Sequence, residues 1–391
     1  MLKEELTSRE RVRLALEHKA TDRVPLDLGG TFISTLTLGA YDHLKQHLAA
    51  TEGLQVTRPP RIINKWGQTV RPDEEVLQRL HIDTRSLYSK APLHWRDLDF
   101  HGGIYVDEWG VLRRRSDPGP YFYYDVVGNP LENATDLIDI EKFRWPDGAD
   151  PGRIIGLREE AEHLYNKTSY ALVGNLMGVD IFEICWFVRG FEQFLVDLAL
   201  DPEFAHALMR KITDIQKRKF ELFLGAVGEF LDVVVILDDV ATQRGLLISP
   251  ATYQTMIQPY HKELISFIKA RTPAKLLYHS CGAVAGMLDQ LLEAGIDIIQ
   301  PVQVGAEGMD SAILKARFGE RVVFWGGIDT QHVLPQGSPD DVREEVEHRI
   351  TDFGGRGGYV LGAVHNIQVD VPPINVVTMY DHAREFSLRM R

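Results

Sequence analysis

Cysteine is scarce in this chain: Cys185 and Cys281 are the only two among 391 residues. Two thiols cannot make a disulfide framework, and so low a count is expected of a reducing compartment. A structural zinc site built from four cysteines is excluded as well. Surplus positive charge is also missing. With 43 Lys and Arg against 56 Asp and Glu, the net charge is −13. That balance disfavours nucleic acid and anionic membrane as partners, because phosphate binding needs clustered cations. No apolar run is long enough to cross a bilayer, and Met1-Leu2-Lys3-Glu4-Glu5-Leu6 lacks the apolar core of a signal peptide. A cytoplasmic protein is expected. What is present is ordinary globular material, 44% hydrophobic and 25% charged, ample for a large core.

From about residue 160 onward, apolar strand-like runs alternate with amphipathic helical stretches. The predicted strands are residues 169–174, 230–237, 275–278, 296–299, 321–325 and 359–361. Helical patterns lie between them, among others at 202–223, 253–270, 284–294 and Pro339–Phe353. β-branched runs alternating with helices predict a parallel sheet covered on both faces. Two earlier candidates, 24–28 and 80–83, bring the count to eight, that of a (β/α)₈ TIM barrel. An open doubly wound sheet would carry a Gly-rich phosphate turn after its first strand, and Gly29-Gly30-Thr31 is too short for one. The stretch at about 95–130, rich in Gly, Pro and aromatics from His101 to Asp125, interrupts the alternation. It reads as an inserted β-meander, expected to be a structural flap rather than a lid over substrate.

Barrel enzymes take their catalytic groups from the C-terminal ends of the strands. Reading each predicted strand to its end gives Asp27, Asp83, Asn175, Asp238-Asp239, His279 with Cys281, Gln300 with Gln303, Asp329, and His365-Asn366. Such a set converging on one mouth is what an active site requires. The most informative stretch is His279-Ser280-Cys281-Gly282. An imidazole and a thiol two residues apart in extended chain point the same way, a two-ligand clip for a metal such as Zn²⁺. Each group also has a plainer reading taken alone. Asp238-Asp239 suits a helix cap, Asp329 a turn, and a lone His365 or Cys281 a packed structural residue. The coincidence of the His-x-Cys pair with His365 on one predicted face favours function. Cys185, among Phe182, Trp186 and Phe187, reads as core, while the role of Glu183 stays open.

The chain resembles the uroporphyrinogen decarboxylase superfamily, particularly its metal-dependent methyltransferase branch. The resemblance rests on Leu237-Asp238-Asp239-Val240-Ala241-Thr242-Gln243, His279-Ser280-Cys281-Gly282, Trp325-Gly326-Gly327-Ile328-Asp329-Thr330-Gln331, and His365-Asn366-Ile367-Gln368 with Pro372-Pro373. Arg9-Glu10-Arg11 and Asp22-Arg23-Val24-Pro25 resemble the family's opening, so one domain over residues 1–391 is implied. The family is a (β/α)₈ barrel, in agreement with the strand count. Its namesake enzymes are cofactor-free and carry an Arg-rich segment that holds a substrate with eight carboxylates. Here the corresponding residues 28–33 contain no Arg.

The methyltransferase branch binds Zn²⁺ through His-x-Cys and a later Cys, near whose position this chain has His365. Imidazole is a competent zinc ligand. The resemblance therefore implies His279, Cys281 and His365 as metal ligands, with a substrate-facing imidazole, as in the Gly-His-Gly of the decarboxylases, the alternative for His365. It also implies a corrinoid, carried by a partner protein, as methyl donor or acceptor. Asp238, Asp239 and Asp329 are expected to orient the acceptor or handle its proton, with Asn175, Gln243, Gln303 and Asp27 binding substrate. Homodimerisation is implied by resemblance to the decarboxylases. Two rival readings remain: a cofactor-free lyase using the carboxylates and His365 as acid and base, and a non-catalytic corrinoid- or tetrapyrrole-binding protein.

Overall fold

Seven strands form one parallel sheet in which the order in space follows the order in the chain. They are β1 (Thr84–Tyr88), β2 (Ala171–Asn175), β3 (Val233–Leu237), β4 (Lys275–His279), β5 (Ile298–Gln300), β6 (Val323–Trp325) and β7 (Tyr359–Val360). The computed structural model describes residues 4–100, 102–117, 119 and 121–390, so His101 of the aromatic stretch lies outside the described residues. Among these residues no helix is long and apolar enough to cross a membrane.

The period-two geometry of a strand sends alternate side chains to opposite faces. Val173, Val233, Val235, Leu277, Ile298, Val323, Trp325 and Val360 point to one side and make a compact inner cluster. Val12 and Leu16 of helix α1 (Ser8–Leu16) complete it. Thr7 and Glu10 start α1 with a reciprocal capping box. The alternate residues, such as Val234, Ile236, Leu276 and Phe324, join the larger cluster under the helices. Helix α2 (Phe182–Arg189) carries Cys185, which is fully buried. Helix α3 (Pro202–Val227) begins with Asp201 as cap and Pro at its first turn. The predicted helix at 253–270 is a π-helical turn, Tyr253–Ile257, running into α4 (Gln258–Lys269). Helix α5 (Leu288–Ala294) follows a 3₁₀ turn, and α6 (Pro339–Phe353) matches its expected bounds.

Residues 24–28, expected as a strand, make a single parallel bridge, Leu26 to Leu361. Their backbone nonetheless bonds to both edges of the curled sheet. Asp27 N donates to Leu361 O at 2.8 Å on one side, and Asp83 N to Leu26 O at 2.9 Å on the other. The strand expected at 80–83 is displaced. Residues Glu74–Arg79 are helical and β1 begins only at Thr84, so Asp83 stands at the N-terminal base of the sheet rather than at its mouth. The polar run Thr84-Arg85-Ser86 hid this strand. Its Arg85 is buried by pairing with Glu74 and lying 3.5 Å over the Tyr170 ring.

Asp83 instead anchors a buried ion network. Arg11 Nε donates to Asp22 at 2.6 Å and Arg11 Nη1 to Asp83 at 2.7 Å, while Arg23 Nη1 donates to Asp83 at 2.7 Å. All four side chains are at most 4% exposed. The network ties α1 and the bridging segment to the base of the sheet, which accounts for the charged residues opening the chain. Removing one partner would leave a buried charge uncompensated, a loss of about 3–5 kcal/mol.

Between β1 and β2 lies a four-stranded antiparallel sheet of Leu98–Phe100, Ile104–Val106, Leu112–Arg115 and Tyr124–Gly128. It is joined to the body through Tyr124 N donating to Trp66 O and by ion pairs from Glu108 to Arg153 and Lys219.

Candidate metal centre

His279 is the last residue of β4, and Leu277, two positions earlier, faces the inner cluster, so alternation turns the imidazole inward. The same argument turns Gln300 inward after Ile298 on β5, and His279 and Gln300 are register partners. The result is a 2.6 Å hydrogen bond from His279 Nδ1 to Gln300 Oε1. Because an amide oxygen only accepts, the proton belongs on Nδ1 and the Nε2 lone pair is free for a ligand. Nε2 lies 3.3 Å from Cys281 Sγ. The His365 ring stands edge-on at 5.8 Å between centroids. One ligand atom from each of His279, Cys281 and His365 lies within 4.8 Å of the others.

The loop holding Cys281 is pinned from several sides. Cys281 N donates to Asp239 Oδ1 at 2.7 Å, Gly282 N to Gln303 Oε1 at 2.7 Å, and Val240 N to Ser280 Oγ at 3.0 Å. Gly282 has φ +88°, and a Cβ there would stand 2.4 Å from the Thr242 carbonyl oxygen, so only glycine fits. The turn, and with it the direction of the thiol, depends on that residue.

Burial sets the protonation states. His279 is pushed down to about 3 by burial and then by His365, against the bond to Gln300. His365 is pushed down to about 4 by burial. Both imidazoles are therefore neutral and able to donate a lone pair. The Cys281 thiol is held well above its ordinary value by burial, then by Asp239 and Glu183. Asp239, raised by burial to about 6 despite the Cys281 N–H, sits with its carboxylate 4.0 Å from His279 Nε2. Two neutral imidazoles and a thiol facing carboxylates suit a divalent cation, whose charge would stabilise the thiolate.

The cavity at this site is about 400 Å³ and is lined by Cys281, Gln243, Gln303, Gln331 and His365 among others. Of the expected site residues, Asp239, Gln243 and Gln303 thus gather around the metal cluster. Four others are committed elsewhere. Asp238 accepts from Ile181, Phe182 and Glu183 N–H, capping α2, and from His261 Nε2 at 2.9 Å. It is 1% exposed, leaving no face for substrate. Asp27 is fully buried and bonded by Gly30 N, Ser34, Thr84 and Trp325. Asn175 is buried, its amide donating to Gly30 O and Val173 O. Asp329 closes a turn by accepting from Gln331 N and His332 N, both at 2.6 Å.

Two residues emerge only in three dimensions. Gln300 orients His279, and its position at a strand end was the one available sign. Glu183 is buried, and one carboxylate oxygen, Oε2, is without a partner among the described residues. Burial, then Asp239, Asp238 and Asp180, hold it well above its ordinary range. Nothing in its helical context marked it.

Comparison with known proteins agrees with this architecture. Residues 127–386 match the family model described as Uroporphyrinogen decarboxylase (URO-D). A uroporphyrinogen decarboxylase of Crocosphaera subtropica is 26% identical over 186 residues, 47% of this chain and 48% of that protein. The chloroplastic uroporphyrinogen decarboxylase 2 of Arabidopsis thaliana is 24% identical over 270 residues, 66% of this chain and 63% of that one. The alignment spans about half the length of the first of these relatives. A solved methyltransferase from Methanosarcina mazei superposes with a TM-score of 0.66 at 16% identity, covering 98% of this chain and 99% of that one, which shows a shared fold. The chain belongs to the uroporphyrinogen decarboxylase (URO-D) family.

Proposed function

We propose that this protein is a zinc-dependent methyltransferase or demethylase that moves a methyl group between a corrinoid and a small thiol or similar acceptor. We further read the curled sheet as a (β/α)₈ barrel with residues 24–28 as the eighth stave. The observation that carries the functional reading is the convergence of His279, Cys281 and His365 within 4.8 Å at an open cavity. One sulfur and two imidazole nitrogens suit Zn²⁺, and three protein ligands leave a position for substrate. Zn²⁺, when bound, supplies the Lewis acidity that makes a thiol acceptor available as thiolate near neutral pH.

The chain's own residues do the remainder. Gln300 fixes the His279 tautomer and ring plane. Gln303 and the Asp239 carboxylate hold the Cys281 loop through backbone N–H groups. Asp239, pushed up to about 6 by burial and 4.0 Å from His279 Nε2, takes or returns a proton beside the metal ligands. Gln243, exposed on the wall, hydrogen-bonds the acceptor, and Asp329 shapes the Thr330-Gln331 edge of the cavity. The corrinoid is presented at the mouth by a partner protein. The fold shared with a solved protein titled a methyltransferase supports the reading. Among the described residues no Lys or Arg lines the cavity, which weighs against uroporphyrinogen, whose eight carboxylates would find no countercharge there.

Metal analysis of protein purified without chelator tests this. We expect one zinc per chain, lost in Cys281→Ala and in His365→Ala. No stoichiometric zinc in the wild type, or unchanged binding in both variants, would refute the reading. Zinc lost only in Cys281→Ala would make His365 a substrate contact.

A further inference from the structure

A second cavity, larger than the one at the metal cluster, lies elsewhere. It measures about 500 Å³, lies between the antiparallel sheet and the segment from Met177 to Phe187, and shares no lining residue with the metal cavity. A volume of this size is ordinary for a small-molecule site. Its walls carry Trp66, Trp95, Tyr105, Trp109 and Phe187, so the surface on offer is largely aromatic.

The ring faces already hold cations of the protein itself. Lys65 stands 3.9 Å from the Tyr105 centroid, Arg113 4.7 Å from Trp66 and 5.0 Å from Phe187, and Lys219 4.6 Å from Trp109. An incoming cation would meet charges of its own sign, which excludes the aromatic-cage mode. The acids on the wall are likewise committed. Asp97 pairs with Lys65 at 3.2 Å, Asp107 with Arg113 at 2.9 Å, and Glu108 with both Arg153 and Lys219. The two cations on Glu108 are balanced by the two acids on Lys65, which Asp99 also pairs at 2.8 Å.

Arg96 leaves one positive charge in excess. It lines the cavity and is exposed, and among the described residues it has no ion pair or hydrogen bond. The buried polar atoms without a partner around this space point the same way. Trp95, whose Nε1 is one of them, lines both the cavity and an adjoining recess, and Arg153, whose Nε is the other, lines that recess. Both are donors. Unmet donors, surplus positive charge and aromatic walls describe the complement of one ligand class.

We propose that this cavity binds a planar aromatic carboxylate, its ring against the Trp and Phe side chains and its carboxylate toward Arg96 and the Trp95 indole N–H. Bonds from charged or indole N–H donors to a carboxylate are strong enough to select it over a neutral analogue. The site is separate from the metal centre, so it stands whether or not zinc binds.

Isothermal titration calorimetry with 2-naphthoate, 2-naphthylmethanol and phenyltrimethylammonium tests the assignment. We expect one 2-naphthoate site per chain, at least about tenfold tighter than for the alcohol. Arg96→Ala and Trp95→Phe should each weaken it about three- to tenfold, with melting temperatures unchanged. Binding should persist in Cys281→Ala. The proposal is overturned by absence of saturable 2-naphthoate binding at millimolar concentration, by equal affinity for the alcohol, or by tighter binding of the ammonium ion. It is also overturned if affinity is unmoved in both wall variants, or if binding disappears in Cys281→Ala, which would put the carboxylate at the metal centre.

Discussion

Replacing Gln300 by Met tests whether the metal centre is organised from behind. Gln300 is fully buried, and its Oε1 accepts the His279 Nδ1 proton at 2.6 Å, while its Nε2 has no partner among the described residues. The substitution therefore removes one interaction, keeps a similar volume, and orphans a single buried N–H. Leaving such a donor unpaired costs about 1–3 kcal/mol. Loss of the group orienting a ligating imidazole weakens metal affinity by about 10- to 100-fold, equivalent to about 1.4–2.7 kcal/mol. The two routes converge on the same range. The assay is competition for zinc against a chromophoric chelator near neutral pH, with a thermal melt to show that the variant is folded. Gln300→Glu serves as the rescue, since a carboxylate behind the imidazole accepts the same proton and raises ligand basicity. A folded Gln300→Met that binds zinc within about threefold of wild type, well inside the expected loss, would falsify the claim that this bond sets the tautomer and direction of His279.

Two further outcomes follow from the backbone and the base of the sheet. Gly282→Ala forces a side chain into φ +88° and against the Thr242 carbonyl. It should destabilise the protein by at least about 1–3 kcal/mol in urea titration and weaken zinc binding with it; a neutral effect on both would show that the loop is not strained as described. Asp22→Asn should cost up to about 3–5 kcal/mol by removing the buried charge that Arg11 Nε and Nη2 bond to, with Asp83 left as its remaining buried partner. Burial pushes the Asp22 carboxyl up, but Arg11 and the N–H groups of Leu6 and Glu5 outweigh it, so its value in the fold is lowered. Its stabilisation is then fully present above the unfolded value of about 3.9 and is lost as pH falls through the folded value. The gap in stability between wild type and Asp22→Asn should narrow below about pH 4, and a gap independent of pH in acid titration would refute this account.

The amino-acid sequence alone determined the alternation of parallel strands and helices, because β-branched runs and 3.6-residue periodicity are local properties. It also marked His279 and Cys281, since two residues of extended chain carry both side chains to one side. The tertiary structure decided what local pattern could not express. The strand Thr84–Tyr88 looks too polar to be buried until Arg85 meets Glu74 and Tyr170, and Asp83 then falls to the base of the sheet, paired with Arg11 and Arg23. Asp238 and Asp239 are adjacent and chemically identical, yet one caps a helix while its neighbour faces the metal cluster; what separates them is that the start of α2 reaches the first and the Cys281 loop reaches the second. Gln300 and Glu183 acquire meaning from register and burial, which bring them beside His279 and Cys281 from elements 21 and 98 residues away in the chain. A side chain's chemistry is written in the sequence, but whether its polar atoms are already spent on the fold is a property of its neighbours in space.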